Sequence, residues 1–166
     1  MSVRLSAPEP LSAEHDLGAF ECGEASLDDW LKRRALANQL SGASRTFVAL
    51  DEHRFVVGYY ALAAGAVAHE GATGAVRRNM PDPIPVLVLG RLAVARRAQG
   101  RKLGAALLQD AVFRAMAVAE NAGIRALLVH ALGQSAKGFY EHYGFEASPV
   151  DPMTLMLRLH GARKAV

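Results

Sequence analysis

Apolar runs along this chain are separated by short polar, glycine-bearing or proline-bearing breaks, and the spacing within each run sorts strands from helices. Arg45 to Leu50 and Phe55 to Ala68 are rich in Phe, Val and Tyr. With Asp51-Glu52-His53 between them they predict a strand pair closed by a polar turn. Val86 to Val94 is apolar on both faces except at Arg91, the pattern of a strand buried in the middle of a sheet. Arg125 to Ala131 predicts a second central strand, Met153 to Leu159 a final one, and Val3-Arg4-Leu5 a first. Leu27, Trp30, Leu31 and Leu36 mark one side of a helix that starts at Ser26 as N-cap, with Asp29 three residues on, and runs to a stop at Gly42. Trp30 is expected in the core. A longer helix is predicted from Leu103 to Asn121, with Leu107, Ala111, Ala115 and Val118 on one side and Gly123 as its stop, and a shorter one from Ser135 to Tyr143, stopped by Gly144. A connection from His69 to Asn79 leads into Pro81-Asp82-Pro83-Ile84-Pro85, whose prolines exclude regular ladder pairing.

With 166 residues, 51% of them apolar and 21% charged, the chain can bury one sizeable core, and a single domain over residues 1–166 is expected, with Gly161 to Val166 as a frayed basic tail. The 15 glycines and 7 prolines are scattered, which excludes collagen-like, Pro-rich and low-complexity classes. Phe55 to Ala68, the longest uncharged apolar stretch, is 14 residues long and holds two glycines, so it is too short to span a bilayer. Met1 to Pro10 has no apolar block of the signal-peptide kind, and the single Cys22 has no intrachain partner; a reducing cytoplasm is the expected location. Nothing in Phe20-Glu21-Cys22-Gly23 supplies a basic activator, so Cys22 reads as structural rather than catalytic.

The net charge of +3 hides an uneven distribution. Residues 1–80 carry 8 basic and 10 acidic side chains, and residues 81–166 carry 11 and 6. Seven carboxylates and no Lys or Arg lie between Glu9 and Asp29. The pairs Arg33/Arg34, Arg77/Arg78, Arg96/Arg97 and Arg101/Lys102 are candidate patches for phosphate-rich partners, or simply a solvated surface.

Gln99-Gly100-Arg101-Lys102-Leu103-Gly104 lies between a predicted strand and the start of a predicted helix. Free N–H groups and the helix dipole there favour a bound phosphate. The loop has neither the Walker A ending nor the dinucleotide-binding glycine spacing. Together with the strand before it and Phe139-Tyr140-Glu141-His142-Tyr143-Gly144-Phe145 after the next strand, it resembles the GNAT acyltransferase family. That family's loop pattern, Q/R-x-x-G-x-G/A, is met by Gln99 and Gly104, but Lys102 stands where glycine is usual. A left-handed lysine costs about 1 kcal/mol or more, so either the loop differs or Lys102 offsets the strain by reaching a phosphate. Phe20-Glu21-Cys22-Gly23, Leu27-Asp28-Asp29-Trp30-Leu31, Asn38-Gln39, Ser41-Gly42-Ala43-Ser44-Arg45-Thr46 and Leu89-Gly90-Arg91-Leu92-Ala93-Val94 narrow the resemblance. They are similar to the GNAT toxins of bacterial toxin–antitoxin pairs, the TacT and AtaT group.

The resemblance implies an α/β (α+β) GNAT acyltransferase fold: a central mixed, mostly antiparallel sheet with flanking helices and a splayed strand pair holding acetyl-CoA. It implies acetyl transfer from acetyl-CoA to the α-amine of aminoacyl-tRNA, which blocks translation, with no metal. It further implies a homodimer, neutralisation by a ribbon-helix-helix antitoxin, and operator DNA bound only through the antitoxin complex. The implied cofactor-binding residues are Leu92, Ala93 and Val94 through their backbone, Arg97, and the loop Gln99, Gly100, Arg101, Lys102, Leu103, Gly104 and Ala105, with Ser135 and Phe139 on the following helix. Tyr140 matches the family's tyrosine that protonates the leaving thiolate; packed beside Phe139, Tyr143 and Phe145, it also reads as a core aromatic. Arg77, Arg78, Arg91 and Arg96 are the candidate tRNA contacts, although Arg96, Arg97 and Arg101 serve CoA phosphates equally well.

No Asp or Glu lies between Pro83 and Gln109, so the glutamate that many lysine-modifying GNAT enzymes carry on the central strand is absent. A lysine amine with pKa near 10.4 needs such a base, whereas an α-amine near 7.7–8.0 is already about a tenth neutral at pH 7. Glu70, His69 and His130 remain alternative bases through water. The alternative functions are a general GNAT N-acetyltransferase of a small amine or protein N-terminus, and a non-catalytic CoA-binding or operon-regulating partner.

Overall fold

The computed structural model describes residues 6–159, so the expected strand at Val3-Arg4-Leu5 and the tail from Gly161 lie outside the described residues. The chain runs β1 (Glu9–Pro10), α1 (Ala25–Arg33), α2 (Ala35–Ser41), β2 (Arg45–Leu50), β3 (Val56–Val67), α3 (Gly74–Arg77), β4 (Ile84–Val94), α4 (Leu103–Asn121), β5 (Ala126–His130), α5 (Gln134–His142), β6 (Glu146–Ala147) and β7 (Thr154–Arg158). Its sheet has the strand order β1-β2-β3-β4-β5-β7-β6. β1 with β2, β2 with β3, β5 with β7 and β6 with β7 are antiparallel, and β4 with β5 is parallel. The fold is therefore mixed and mostly antiparallel.

Two compact units divide the chain, and the boundaries fall inside β3, β4 and α4: one unit ends at Ala63 and resumes over Gly90–Ala111, and the other holds Ala64–Leu89 and the chain from Val112 on. In the first unit Phe20, Leu31, Val48, Tyr59, Tyr60 and Leu107 are among the buried side chains. Gly58 of β3 lets α4 come close, since a Cβ there would sit 2.9 Å from Leu107 Cδ1 and 3.2 Å from Leu103 Cδ2. The Tyr60 hydroxyl donates to the Asp110 carboxylate and ties the same two elements. In the second unit Ala72, Val76, Ile84, Val86, Ala126, Leu128 and Met156 form one apolar cluster.

Several local expectations change. The single helix from Ser26 to Gly42 is two helices broken at Arg34. Glu24 rather than Ser26 precedes the first, because the Asp28 carboxylate turns back to accept the Cys22 N–H and draws the chain into the helix two residues earlier. Trp30 is half-buried, not core; Leu31 and Ala35 take the fully buried positions. β4 starts at Ile84 and includes Pro85, whose carbonyl accepts the Arg125 N–H; proline lacks the donor but keeps the acceptor, so pairing begins two residues earlier than expected. Gly90 is exposed and Leu92 and Val94 are half-buried, so the far end of β4 is not covered on both faces. Val118 is 38% exposed and lies off the buried face of α4, whose buried positions are Leu103, Leu107, Leu108, Ala111 and Ala115. Gly42 and Gly144 take the left-handed conformation expected after their helices, but Gly123 does not. The two-residue strands β1 and β6 carry too few residues to show a period.

Candidate active site

At the end of β4 the backbone is held from both sides within the first unit: the Ala95 N–H donates to Val57 O at 2.8 Å and the Arg96 N–H to Glu21 O at 2.7 Å. A 3-10 turn, Arg96–Ala98, follows. The Gln99 Nε2 then donates to Cys22 O and to Val94 O, both at 2.9 Å. This glutamine thus fastens the acidic segment to the strand end and sets where the loop begins. Gly100 (φ 79°) and Lys102 (φ 62°) both lie in the left-handed region, so the loop keeps the turn expected of glycine even with a lysine in it. Leu103 is buried and anchors α4, while Arg101 and Lys102 are exposed and have no carboxylate partner among the described residues. The N–H groups of Leu103, Gly104 and Ala105 belong to the first turn of α4 and have no acceptor four residues back in the helix. Two left-handed residues, open N–H groups, a helix dipole and two unpaired cations suit a phosphate or pyrophosphate group.

Arg97 sits elsewhere in its chemistry. Its Nη1 donates to Asp51 Oδ2 at 2.7 Å and its Cζ lies 5.8 Å from the Phe55 ring centroid, so its charge is engaged at the β2–β3 turn. Asp51 Oδ1 also accepts the N–H groups of His53 and Phe55, each at 2.9 Å. Burial raises the Asp51 pKa, but the Arg97 hydrogen bond together with the two backbone donors brings it net below the usual carboxylate value. Arg96 pairs with Glu21 at 3.1 Å on the surface. Arg91 lies with its Cζ 4.8 Å from the Trp30 ring centroid. Cys22 is a protonated thiol, its pKa pushed up to about 11 by burial and then by the Asp28 carboxylate, in keeping with a structural role.

In the second unit Tyr140 is buried on α5 at 8% exposure, edge-on to Phe139 at 5.2 Å and tilted against Phe145 at 5.5 Å. Burial pushes its pKa up to about 12, and among the described residues its hydroxyl has no hydrogen-bond partner. Ser135 is exposed in the first turn of α5, where Gly133 is the N-cap and no side chain caps the helix. Arg77 and Arg78 are exposed at the end of α3 and just beyond it. Of the three alternative bases, His69 Nε2 lies 2.7 Å from Met80 O and 2.9 Å from Pro81 O. It donates to carbonyls and clamps the proline-rich segment. Glu70 is exposed. His130 Nδ1 lies 2.9 Å from Thr154 Oγ1, whose single proton goes to Asp151 Oδ2 at 2.7 Å. Nδ1 is therefore the donor to Thr154 Oγ1. Gln99 as a structural tie, Asp51 and the His130–Thr154–Asp151 chain escape sequence reasoning because each depends on a partner distant along the chain.

Known proteins resemble this chain in sequence and in fold. Residues 42–147 match the acetyltransferase (GNAT) domain family. The chain is 54% identical over 161 residues to the tRNA-acetylating toxin of Mycobacterium tuberculosis, a match that covers 97% of this chain and 96% of that protein. Its structure is similar to AtaT complexed with acetyl-methionyl-tRNAfMet, at TM-score 0.90 and 27% identity over 98% of this chain and 99% of that one. It is also similar to a tyrosine-to-phenylalanine mutant of AtaT bound to the C-terminus of the antitoxin AtaR and acetyl-CoA, at TM-score 0.83 and 27% identity over 97% of each chain. With the mixed seven-stranded sheet and the strand, left-handed loop and helix in family order, the chain belongs to the GNAT family of acetyl-CoA-dependent acetyltransferases.

Proposed function

We propose that this chain is a toxin that acetylates the α-amine of the amino acid on charged tRNA and so blocks translation. The observation that carries the reading is 54% identity to a tRNA-acetylating toxin over nearly the full length of both chains. Chemistry supports it. β4 offers no carboxylate, and an ester-linked α-amine is already partly neutral at pH 7, so it attacks without a strong base. Acetyl-CoA supplies the activated acyl group. The backbone of Leu92, Ala93 and Val94 holds its pantetheine arm and polarises the carbonyl, and residues 99–105 hold its pyrophosphate, with Arg101 and Lys102 as the charged contacts. By the family resemblance Ser135 and Phe139 of α5 are further contacts proposed for acetyl-CoA. Tyr140 stays protonated across the working pH range because its pKa is pushed up to about 12, and it presents that proton to the sulfur as the C–S bond breaks. A group this weakly acidic acts mainly as a hydrogen-bond donor to the developing thiolate, whose own pKa is near 8.5.

By the same resemblance the toxin is a cytoplasmic homodimer, held inactive by a ribbon-helix-helix antitoxin and brought to operator DNA only through it. AtaT, to which the structure is similar, is bound to the C-terminus of its antitoxin AtaR. Transfer of radiolabelled acetyl from acetyl-CoA to a pool of charged tRNA tests the activity. Label is expected on charged but not on deacylated tRNA. It should fall by about 10²–10⁴-fold in Tyr140→Phe if the phenol acts as the acid. Labelling of small amines or protein N-termini with none on tRNA would overturn the toxin reading in favour of a general N-acetyltransferase.

A further inference from the structure

Three groups in the first unit are stacked in one column. Tyr59, fully buried on β3, is pinned by its hydroxyl, which donates to Leu27 O at 2.7 Å. Trp30 lies parallel to it, with centroids 6.1 Å apart and an interplanar angle of 10°. The Arg91 guanidinium covers Trp30, with Cζ 4.8 Å from the ring centroid, and its Nη1 donates to Gly90 O at 3.1 Å. Trp30 and Arg91 are only half-buried, and among the described residues Arg91 has no carboxylate partner. The column thus rests on a rigid base and ends in a partly exposed, uncompensated cation. A core would spend neither a tryptophan face nor an unpaired guanidinium in this way.

We propose that Trp30 and Arg91 form a stacking site for an unpaired nucleobase, the one at the aminoacylated end of the RNA; this rests on the substrate reading given above. Planar guanidinium groups and aromatic rings are the surfaces on which splayed RNA bases stack, and a guanidinium also meets the adjoining phosphate. Place along the strand favours this end of the RNA. Arg91 is one to three residues from Leu92, Ala93 and Val94, or about 3–10 Å along the strand. That separation is comparable to the one between an esterified amino acid's amine and the base of the nucleotide carrying it. The adenine of CoA is the other available base, but it trails the pyrophosphate that residues 99–105 are assigned to hold, farther from Arg91 along the chain.

Trp30 is the only tryptophan in the chain, so its fluorescence reports on the column directly. An RNA minihelix ending in single-stranded CCA should quench it saturably, with little change on adding CoA. Arg91→Lys keeps the charge and removes the plane. It should raise KM for charged tRNA roughly tenfold and leave kcat within about twofold. Trp30→Phe keeps a ring and should retain most of the RNA affinity, which guards against reading misfolding as lost binding. Quenching by CoA but not by the minihelix would overturn the proposal. So would filter-detected minihelix binding with flat fluorescence, or an unaltered KM in Arg91→Lys. Failure of the wild-type protein to acetylate charged tRNA would instead overturn the substrate reading, and the fluorescence titration would then judge the stacking site alone.

Discussion

Lys102 is a lysine held where glycine is usual, at φ 62°, in the loop that precedes α4. The left-handed backbone costs about 1–2 kcal/mol. Replacing it with glycine removes that cost but returns about 0.5–1 kcal/mol through the greater freedom of the unfolded chain. Lys102→Gly is therefore expected to move Tm by no more than about 3 °C while raising KM for acetyl-CoA several-fold. An unchanged KM would show that the ammonium does not reach a phosphate. Tyr140 is a contrasting residue: its hydroxyl has no partner among the described residues, so Tyr140→Phe should leave Tm nearly unchanged by calorimetry while activity collapses.

Between β2 and β3 the turn is built around one carboxylate. Asp51 accepts two backbone N–H groups and pairs with Arg97, and Arg54 closes the turn at φ 65°. Because the folded-state pKa of Asp51 lies below its unfolded value, the charge stabilises the fold above the unfolded pKa of about 3.9. That contribution is lost as pH falls through the folded value. Asp51→Asn should lower stability by about 1 kcal/mol at pH 7, a modest figure because Arg97 is half-exposed. The gap between variant and wild type, followed as Tm against pH, should close below about pH 4. A gap that persists at pH 2 would assign the turn's stability to shape rather than charge.

Charge decides how the whole molecule meets a polyanion. Its net charge of +3 comes from the second half of the chain, and no helix among the described residues is long and apolar enough to cross a membrane. Arg77 and Arg78 are exposed beside α3. Arg77→Glu with Arg78→Glu is expected to weaken tRNA binding about tenfold or more and to flatten its salt dependence, with acetyl-CoA affinity unchanged by calorimetric titration. Equal loss of both affinities would signal misfolding.

Signals of short range were legible in the amino-acid order. The 3.6-residue period of Leu103–Asn121, the β2–β3 pair around its polar turn, and the glycine loop before α4 all follow from interactions within a few residues. Membership of the family was legible too, since Gln99, Gly104 and Tyr140 stand at recognisable spacings. Partner choice was not. Arg97 lies 46 positions from Asp51, Gln99 lies 77 from Cys22, and Arg91 stacks on a tryptophan in α1. No local spacing encodes which cation finds a carboxylate, which finds a ring and which stays free, because a charge's free energy depends on distance and burial, and both exist only once the sheet and helices have brought distant segments together.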